Sequence, residues 1–273
     1  MGRPMRILGL YDSKRGEFRN LVYTHRDSKG ASYVNGEPVN IRLLRAGEPA
    51  PDAPGNSDFR VVVPPDIKYE TGDFLSVNAG ETTLRIGPGD AISVVSSGFT
   101  GASARADVLR PIRTGVLTVS DRGYAGERTD TAGQALEDLA APVGAVVERR
   151  DIVPDERDVI SRVLAEWADT DALELILTTG GTGLSERDVT PEALTDIGDR
   201  VAPGFGETMR ARSMYYTPRG CLGRGMAVTR GKTLIIAFPG SERAVRRCFE
   251  AIAPALRHGV EILTGRDADC GER

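Results

Sequence analysis

The 273-residue sequence predicts an α/β layered domain preceded by a small β-rich domain, either a barrel or a sandwich. Three observations predict it. Residues 1–110 hold short β-type runs divided by turn signals and show no 3.6-residue apolar period. From Thr114 onward, compact apolar strands alternate with amphipathic helical segments, the mark of a layered α/β domain. One of those strands runs straight into a glycine-rich turn, as ligand-binding strand exits in open α/β sheets do. The boundary falls near Gly101–Arg113, giving units 1–110 and 111–273.

The expected strands of the first unit are Arg6–Tyr11, Phe18–Tyr23, Val39–Leu44, Phe59–Val63, Phe74–Val77, Thr83–Ile86 and Ala91–Val95. Turn residues separate them at Lys14–Gly16, Asn35-Gly36, Asp52–Gly55 and Gly87–Asp90. In the second unit Thr114–Ser120 reads as a buried strand. Thr131–Ala141 reads as a helix with Thr131 and Gln134 as a capping box, and Ala145–Ile152 as a strand. Asp155–Trp167 places Val159, Ile160, Val163, Leu164 and Trp167 on one helical face, so Trp167 is expected to pack in the core. Leu173–Leu177 is a further buried strand, and Thr190-Pro191 reads as an N-cap with proline at the first helical position. Met226–Thr229 and Thr233–Phe238 are strands joined by Arg230-Gly-Lys. Ser241 caps a long helix interrupted or kinked at Pro254.

Composition removes several function classes. The formal charge of −4 provides no cationic field, so neither nucleic acid nor an anionic membrane surface is an expected partner. No apolar run approaches the roughly 18 residues of a membrane helix, and the first residues lack a signal-peptide core. Cys221, Cys248 and Cys270 are too few and too scattered for a disulfide framework, so a reducing cytoplasm is the expected compartment. The histidines are His25 and His258, too far apart in sequence to suggest a histidine zinc site or a Ser-His-Asp triad.

Chemistry concentrates in Leu173–Pro191. The strand exit Thr178-Thr179-Gly180-Gly181-Thr182-Gly183 suits a phosphate cradle, with converging backbone N–H groups and hydroxyls as extra donors, and taken alone reads equally as a plain turn. No lysine follows the glycines, so it is not a Walker loop. Asp188 follows closely, and Pro154-Asp155 stands at another strand–helix junction. Two carboxylates at loop ends of one sheet suit Mg²⁺ with phosphate oxygens completing its shell. By spacing alone the helix N-cap is the favoured reading of Asp155 over a metal ligand, and Ser120–Arg122 and Asp130–Gly133 read as caps and turns beside the same crevice.

Six ordered blocks between Thr114 and Leu263 resemble the MogA/MoaB family, which includes the G domain of gephyrin. They are VSDRGYAGERTDTAG (Val119–Gly133), IVPDE (Ile152–Glu156), LTTGGTG (Leu177–Gly183), RDVTPEA (Arg187–Ala193), PGFGETMR (Pro203–Arg210) and FPGS with AV (Phe238–Ser241, Ala244–Val245). The resemblance implies a three-layer molybdopterin-binding domain and a reaction in molybdenum cofactor biosynthesis. In that reaction molybdopterin and ATP, with Mg²⁺, give adenylyl-molybdopterin and pyrophosphate. It implies catalytic and metal-binding roles for Asp155 and Asp188. It also implies substrate contacts at Ser120, Asp130, Gly180, Gly181, Thr182, Gly183, Pro239, Gly240 and Ser241. A homotrimer is implied, with other molybdenum-cofactor pathway proteins as partners. Two alternatives stand beside it: a non-catalytic molybdopterin scaffold or carrier, and the tungsten-cofactor equivalent. One departure bears on the first, because Leu222-Gly223-Arg224 carries glycine where family members often carry serine.

In the first unit, Ile7–Val22 and Gly72–Val94 resemble the beginnings and ends of MOSC domains, which are β-rich. Residues 1–110 contain no cysteine, so the expectation is a shortened accessory β-domain that binds product or a partner and does not transfer sulfur. Cys248 reads as a small buried residue, and Arg243, Arg246 and Arg247 as a solvated basic face.

Overall fold

The computed structural model describes residues 5–48 and 58–266. The turn expected at Asp52–Gly55, and Cys270, lie outside the described residues. Internal contacts divide the chain into two units, Met1–Pro111 and Ile112–Arg273.

The first unit is all β. A nine-stranded sheet carries most of it, and a four-stranded sheet joins Gly98–Gly101, Leu21–Arg26, Ser32–Val34 and Glu37–Pro38. The expected strand Arg6–Tyr11 is two strands, Met5–Arg6 and Gly9–Asp12. Their backbone changes partner between them: Ile7 N–H donates to Ala104 O (3.0 Å) and Leu8 N–H to Val62 O (2.8 Å). Met5–Arg6 pairs with Arg105–Leu109 and Gly9–Asp12 with Phe59–Val63, so one segment bridges both ends of the large sheet and closes it. Ile7, Leu10, Val61, Leu75, Leu84 and Val94 fill its interior. Phe18–Tyr23 likewise splits, into Glu17–Arg19 and Leu21–Arg26. Asn35-Gly36 turns a hairpin with both φ angles positive (50° and 88°), as a two-residue turn requires.

The second unit begins with β1 (Ile112–Val119), α1 (Asp121–Tyr124), α2 (Thr131–Ala140), β2 (Ala145–Val153), α3 (Arg157–Asp169) and β3 (Leu175–Thr179). It continues with α4 (Thr190–Ile197), β4 (Arg200–Val201), α5 (Pro203–Tyr216), β5 (Ala227–Arg230), β6 (Thr233–Phe238) and α6 (Glu242–Thr264). The sheet order is β2-β1-β3-β6-β5-β4. The first four strands are parallel, and β5 runs antiparallel to both of its neighbours, β6 and β4.

Strand residues alternate between two cores, which makes three layers. Val116, Leu175, Leu177, Leu234, Ile236 and Phe238 face Leu136 of α2, Met209 of α5 and Val245, Phe249 and Ile252 of α6. Leu117, Ile176, Ile235 and Ala237 face Ile160, Leu164 and Trp167 of α3 and Leu194 of α4. Trp167 is 7% exposed, as its place on the helical stripe predicts. Burial of each such apolar side chain contributes about 2 kcal/mol.

Three local expectations are corrected. The cap of α2 is Asp130, whose Oδ1 accepts from Gly133 N–H (2.8 Å). Thr131 is therefore already helical, and Gln134 instead bonds to Asp138 and Arg150. Thr190 is also inside its helix, where its hydroxyl donates to Gly180 O (2.9 Å). α6 runs through Pro254 without interruption. The helix α5 escapes sequence reading because Gly204 and Gly206 occupy its first turn and only Gly206 and Met209 are buried.

Candidate active site

Strands β1, β2, β3 and β6 are parallel, so their carboxyl ends share one edge of the sheet. The chain passes from β1 to β2 on one side, then returns through α3 to β3 on the other. Such a reversal of strand order leaves a crevice beyond the strand ends. A pocket of about 310 Å³ lies there. Ser120, Asp130, Asp155, Gly180, Gly181, Asp188, Gly240 and Ser241 line it, together with Gly123, Arg128, Thr129, Thr131 and Thr179. Of the residues expected to touch substrate, Thr182, Gly183 and Pro239 are outside this lining and hold the walls. Thr182 Oγ1 donates to Phe238 O (3.4 Å), and Pro239 O accepts from Thr179 Oγ1 (2.7 Å).

The glycine-rich exit of β3 has no room for side chains. Gly180 (φ +99°) and Gly181 (φ +61°) are in left-handed conformations. A Cβ on Gly180 would strike Val119 O; on Gly181 it would strike Thr190 Oγ1 and lie 3.2 Å from Asp155 Oδ1. A Cβ on Gly183 would lie 2.7 Å from Asp188 Oδ2. The loop therefore threads between two carboxylates that come from different strand exits.

Each carboxylate is held by backbone. Asp155 Oδ2 accepts from Asp121 N–H (2.9 Å), and Asp121 Oδ1 accepts from Asp155 N–H (3.0 Å), a reciprocal pair between the exits of β1 and β2. Asp155 therefore does not cap α3: that position is Glu156, which makes no side-chain capping bond. Burial, opposed by the Asp121 N–H, pushes the Asp155 carboxyl above its ordinary range, and the negative charges of Asp121 and Asp188 add to the rise. Asp121 is held below the ordinary range chiefly by Arg187, which reaches it through Nε (3.1 Å) and Nη2 (2.6 Å). Asp188 Oδ2 accepts from Ser185 N–H (2.9 Å).

Asp130 is committed elsewhere. Besides capping α2, its Oδ2 accepts from Thr118 Oγ1 (2.9 Å) and pairs with Arg150 (3.2 Å), and its side chain is only 7% exposed. Ser120 Oγ accepts from Gly123 N–H (3.1 Å), and Ser241 caps α6 by accepting from Ala244 N–H (3.4 Å).

Arg224 clamps the glycine loop. Its Nε donates to Gly183 O (2.6 Å), its Nη2 to Asp188 O and its Nη1 to Glu192, while its own N–H donates to Thr182 O (2.9 Å). Sequence reading left Asp121, Arg187 and Arg224 without roles, although Asp121 and Arg187 fall in the quoted blocks and Arg224 follows Gly223. Gly223 lies outside the pocket lining, and a Cβ there would meet only Gly220 O at 3.5 Å.

The donor set fits a hard cation. Asp155 and Asp188 provide carboxylate oxygens on either side of the glycine loop. Among the described residues, no group of three His, Cys, Asp or Glu side chains forms a closed protein cage. One or two carboxylates completed by substrate phosphates is the ligand pattern of Mg²⁺.

Residues 115–258 match the family model described as "probable molybdopterin binding domain". A molybdopterin adenylyltransferase of Helicobacter pylori is 37% identical over 167 residues, covering 60% of this chain and 95% of the relative. The Escherichia coli enzyme of the same name is 37% identical over 159 residues, covering 56% and 81%. The crystal structure of the molybdopterin biosynthesis enzyme MoaB from Thermus thermophilus superposes with a TM-score of 0.54 at 46% identity, covering 56% of this chain and 97% of that one. The family-model match falls within the unit that builds the switch-point pocket, and the chain belongs to the molybdopterin-binding MogA/MoaB family.

Proposed function

We propose that the chain is a molybdopterin adenylyltransferase, transferring AMP from ATP to molybdopterin and releasing pyrophosphate. The observation that carries the reading is the pair Asp155 and Asp188 flanking the Gly180–Gly183 loop at the switch point. The relatives named for this reaction, matched over 95% and 81% of their own lengths, support the reaction class.

An oxygen of the molybdopterin phosphate attacks the α-phosphorus of ATP. The new P–O bond forms as the bond to the bridging oxygen breaks, and pyrophosphate leaves with the electron pair. Mg²⁺, held by Asp155 and Asp188, would neutralise charge on the triphosphate. This chain's residues do the positioning. Gly180 and Gly181 let backbone approach phosphate without side-chain obstruction. Arg224 fixes that loop and the Asp188 backbone together, and the Asp121–Asp155 pair fixes the other carboxylate. Among the described residues no Cys or His lines the pocket, and the transfer calls for none.

The test is incubation of the purified chain with molybdopterin, ATP and Mg²⁺. The expected result is adenylyl-molybdopterin and pyrophosphate in equal amounts, and neither after chelation of the metal. Molybdopterin binding without either product would favour the scaffold reading.

A further inference from the structure

We infer that Arg128 grips the phosphate monoester of the acceptor substrate, an inference that rests on the adenylyl-transfer reading. Transfer brings two anions together, a triphosphate and an attacking phosphate, and their repulsion must be offset at both ends. Asp155 and Asp188, with their metal, serve the triphosphate from the glycine-loop wall. They are the wrong sign for the second anion.

Among the described residues, Arg128 is the single basic side chain lining the pocket, which also contains three aspartates. It stands on the segment leading into α2, on the β1-exit wall, between Glu127 and Thr129. Its guanidinium is uncommitted. Arg150, Arg187 and Arg224 are spent on Asp130, Asp121 and Glu192. Arg128, among the described residues, forms no ion pair. Asp130, two positions along the chain in the same lining, is already engaged by Gly133 N–H, Thr118 and Arg150. The hydroxyl-bearing residues Thr129 and Thr131 are exposed beside it in the same lining. An exposed arginine lining the pocket, with a guanidinium that forms no ion pair among the described residues, is suited to bidentate phosphate recognition.

The experiment measures molybdopterin binding without ATP, then steady-state kinetics, on wild type, Arg128→Ala, Arg128→Lys and Arg122→Ala. Arg122 is an exposed arginine of the same stretch outside the lining. Dephosphorylated molybdopterin serves as the probe lacking the monoester. Arg128→Ala is expected to weaken molybdopterin binding about tenfold or more, the loss of one charge-assisted pair. KM for ATP and thermal stability stay unchanged. Arg128→Lys recovers part of the loss, Arg122→Ala behaves as wild type, and the dephosphorylated probe binds wild type and Arg128→Ala alike. Unchanged affinity in Arg128→Ala, an equal loss for the dephosphorylated probe, or a rise confined to KM for ATP would overturn the assignment. If Arg128-dependent binding persists but wild type makes no product, the adenylyl-transfer reading fails and the phosphate grip stands. If wild type does not bind molybdopterin, both fail.

Discussion

Asp12 and Asp27 of the β-rich unit and Asp121 and Asp155 of the α/β unit use their carboxylates in opposite ways. In the β-rich unit an aspartate closes its own turn: Asp12 Oδ1 accepts from Lys14 and Arg15 N–H (both 3.1 Å), and Asp27 Oδ1 from Lys29 (2.9 Å) and Ala31 (2.8 Å). Bonds to nearby backbone, the one from Ala31 foremost, keep Asp27 below the ordinary carboxylate range. In the α/β unit Asp155 bonds to a residue 34 positions away, and Asp121 receives an arginine 66 positions away. Burial and like charge push Asp155 upward. Glycines of a β-rich turn and of the site differ likewise. Gly36, Gly47 and Gly89 have positive φ and open space around them, whereas Gly180 and Gly181 are pressed against other loops. A local arrangement ends a turn; a long-range one builds a site.

The largest expected effect tests the carboxylates. Asp155→Ala should lower AMP transfer by about 10²-fold or more, the scale of removing one preorganised electrostatic group. Circular dichroism should remain that of wild type. Loss of fold together with activity would make Asp155 a structural residue like Asp12.

The next prediction pairs two glycines. Gly181→Ala and Gly36→Ala both place a side chain at positive φ, which costs about 1 kcal/mol. Only Gly181→Ala adds collisions, with Thr190 and Asp155. Thermal denaturation should show Gly36→Ala mildly destabilised, and Gly181→Ala clearly more so and inactive. Equal losses would erase the distinction drawn between the two loops.

A truncation sharpens the comparison further. The Helicobacter relative is 95% covered by the match to this chain, so a chain of residues 111–273 should retain AMP transfer within about threefold. A deficit in product delivery or partner binding, with transfer intact, would assign the accessory role to the β-rich unit. Unchanged binding, transfer and delivery would remove that role.

The smallest effect belongs to Gly223→Ser. Its φ is −72°, and a Cβ there meets only Gly220 O at 3.5 Å, so stability should change by less than about 0.5 kcal/mol. Turnover should shift by no more than about threefold. A large gain would show that this wall reaches substrate after all.

Much of the α/β fold is legible because its signals are local. Val159, Ile160, Val163, Leu164 and Trp167 repeat at helical spacing, and Leu175–Thr179 is a continuous buried run. The β-rich unit is less so, since the break at Ile7-Leu8 is decided by partners near residues 104 and 62. The strand Gly98–Gly101 carries one large apolar residue, Phe99, between two glycines and does not stand out. At the site, residue types and spacing nominate the glycine loop but favour a helix cap for Asp155, a position that Glu156 takes instead. The clamp of Arg224 on Gly183 spans 41 residues and has no local signature. The misplaced caps at Thr131 and Thr190 share one cause: in each case the neighbouring residue takes the capping position, and the hydroxyl residue enters the helix.

The central claim is that the two flanking carboxylates make the glycine pocket a centre for adenylyl transfer. Its most direct test follows α-phosphorus-labelled ATP with molybdopterin and Mg²⁺, comparing wild type with Asp188→Ala. The account predicts that label passes to molybdopterin in wild type, with matching pyrophosphate release, and falls about 10²-fold or more in the variant. Equal labelling by both proteins, or binding of molybdopterin by wild type with no labelled product, would contradict it.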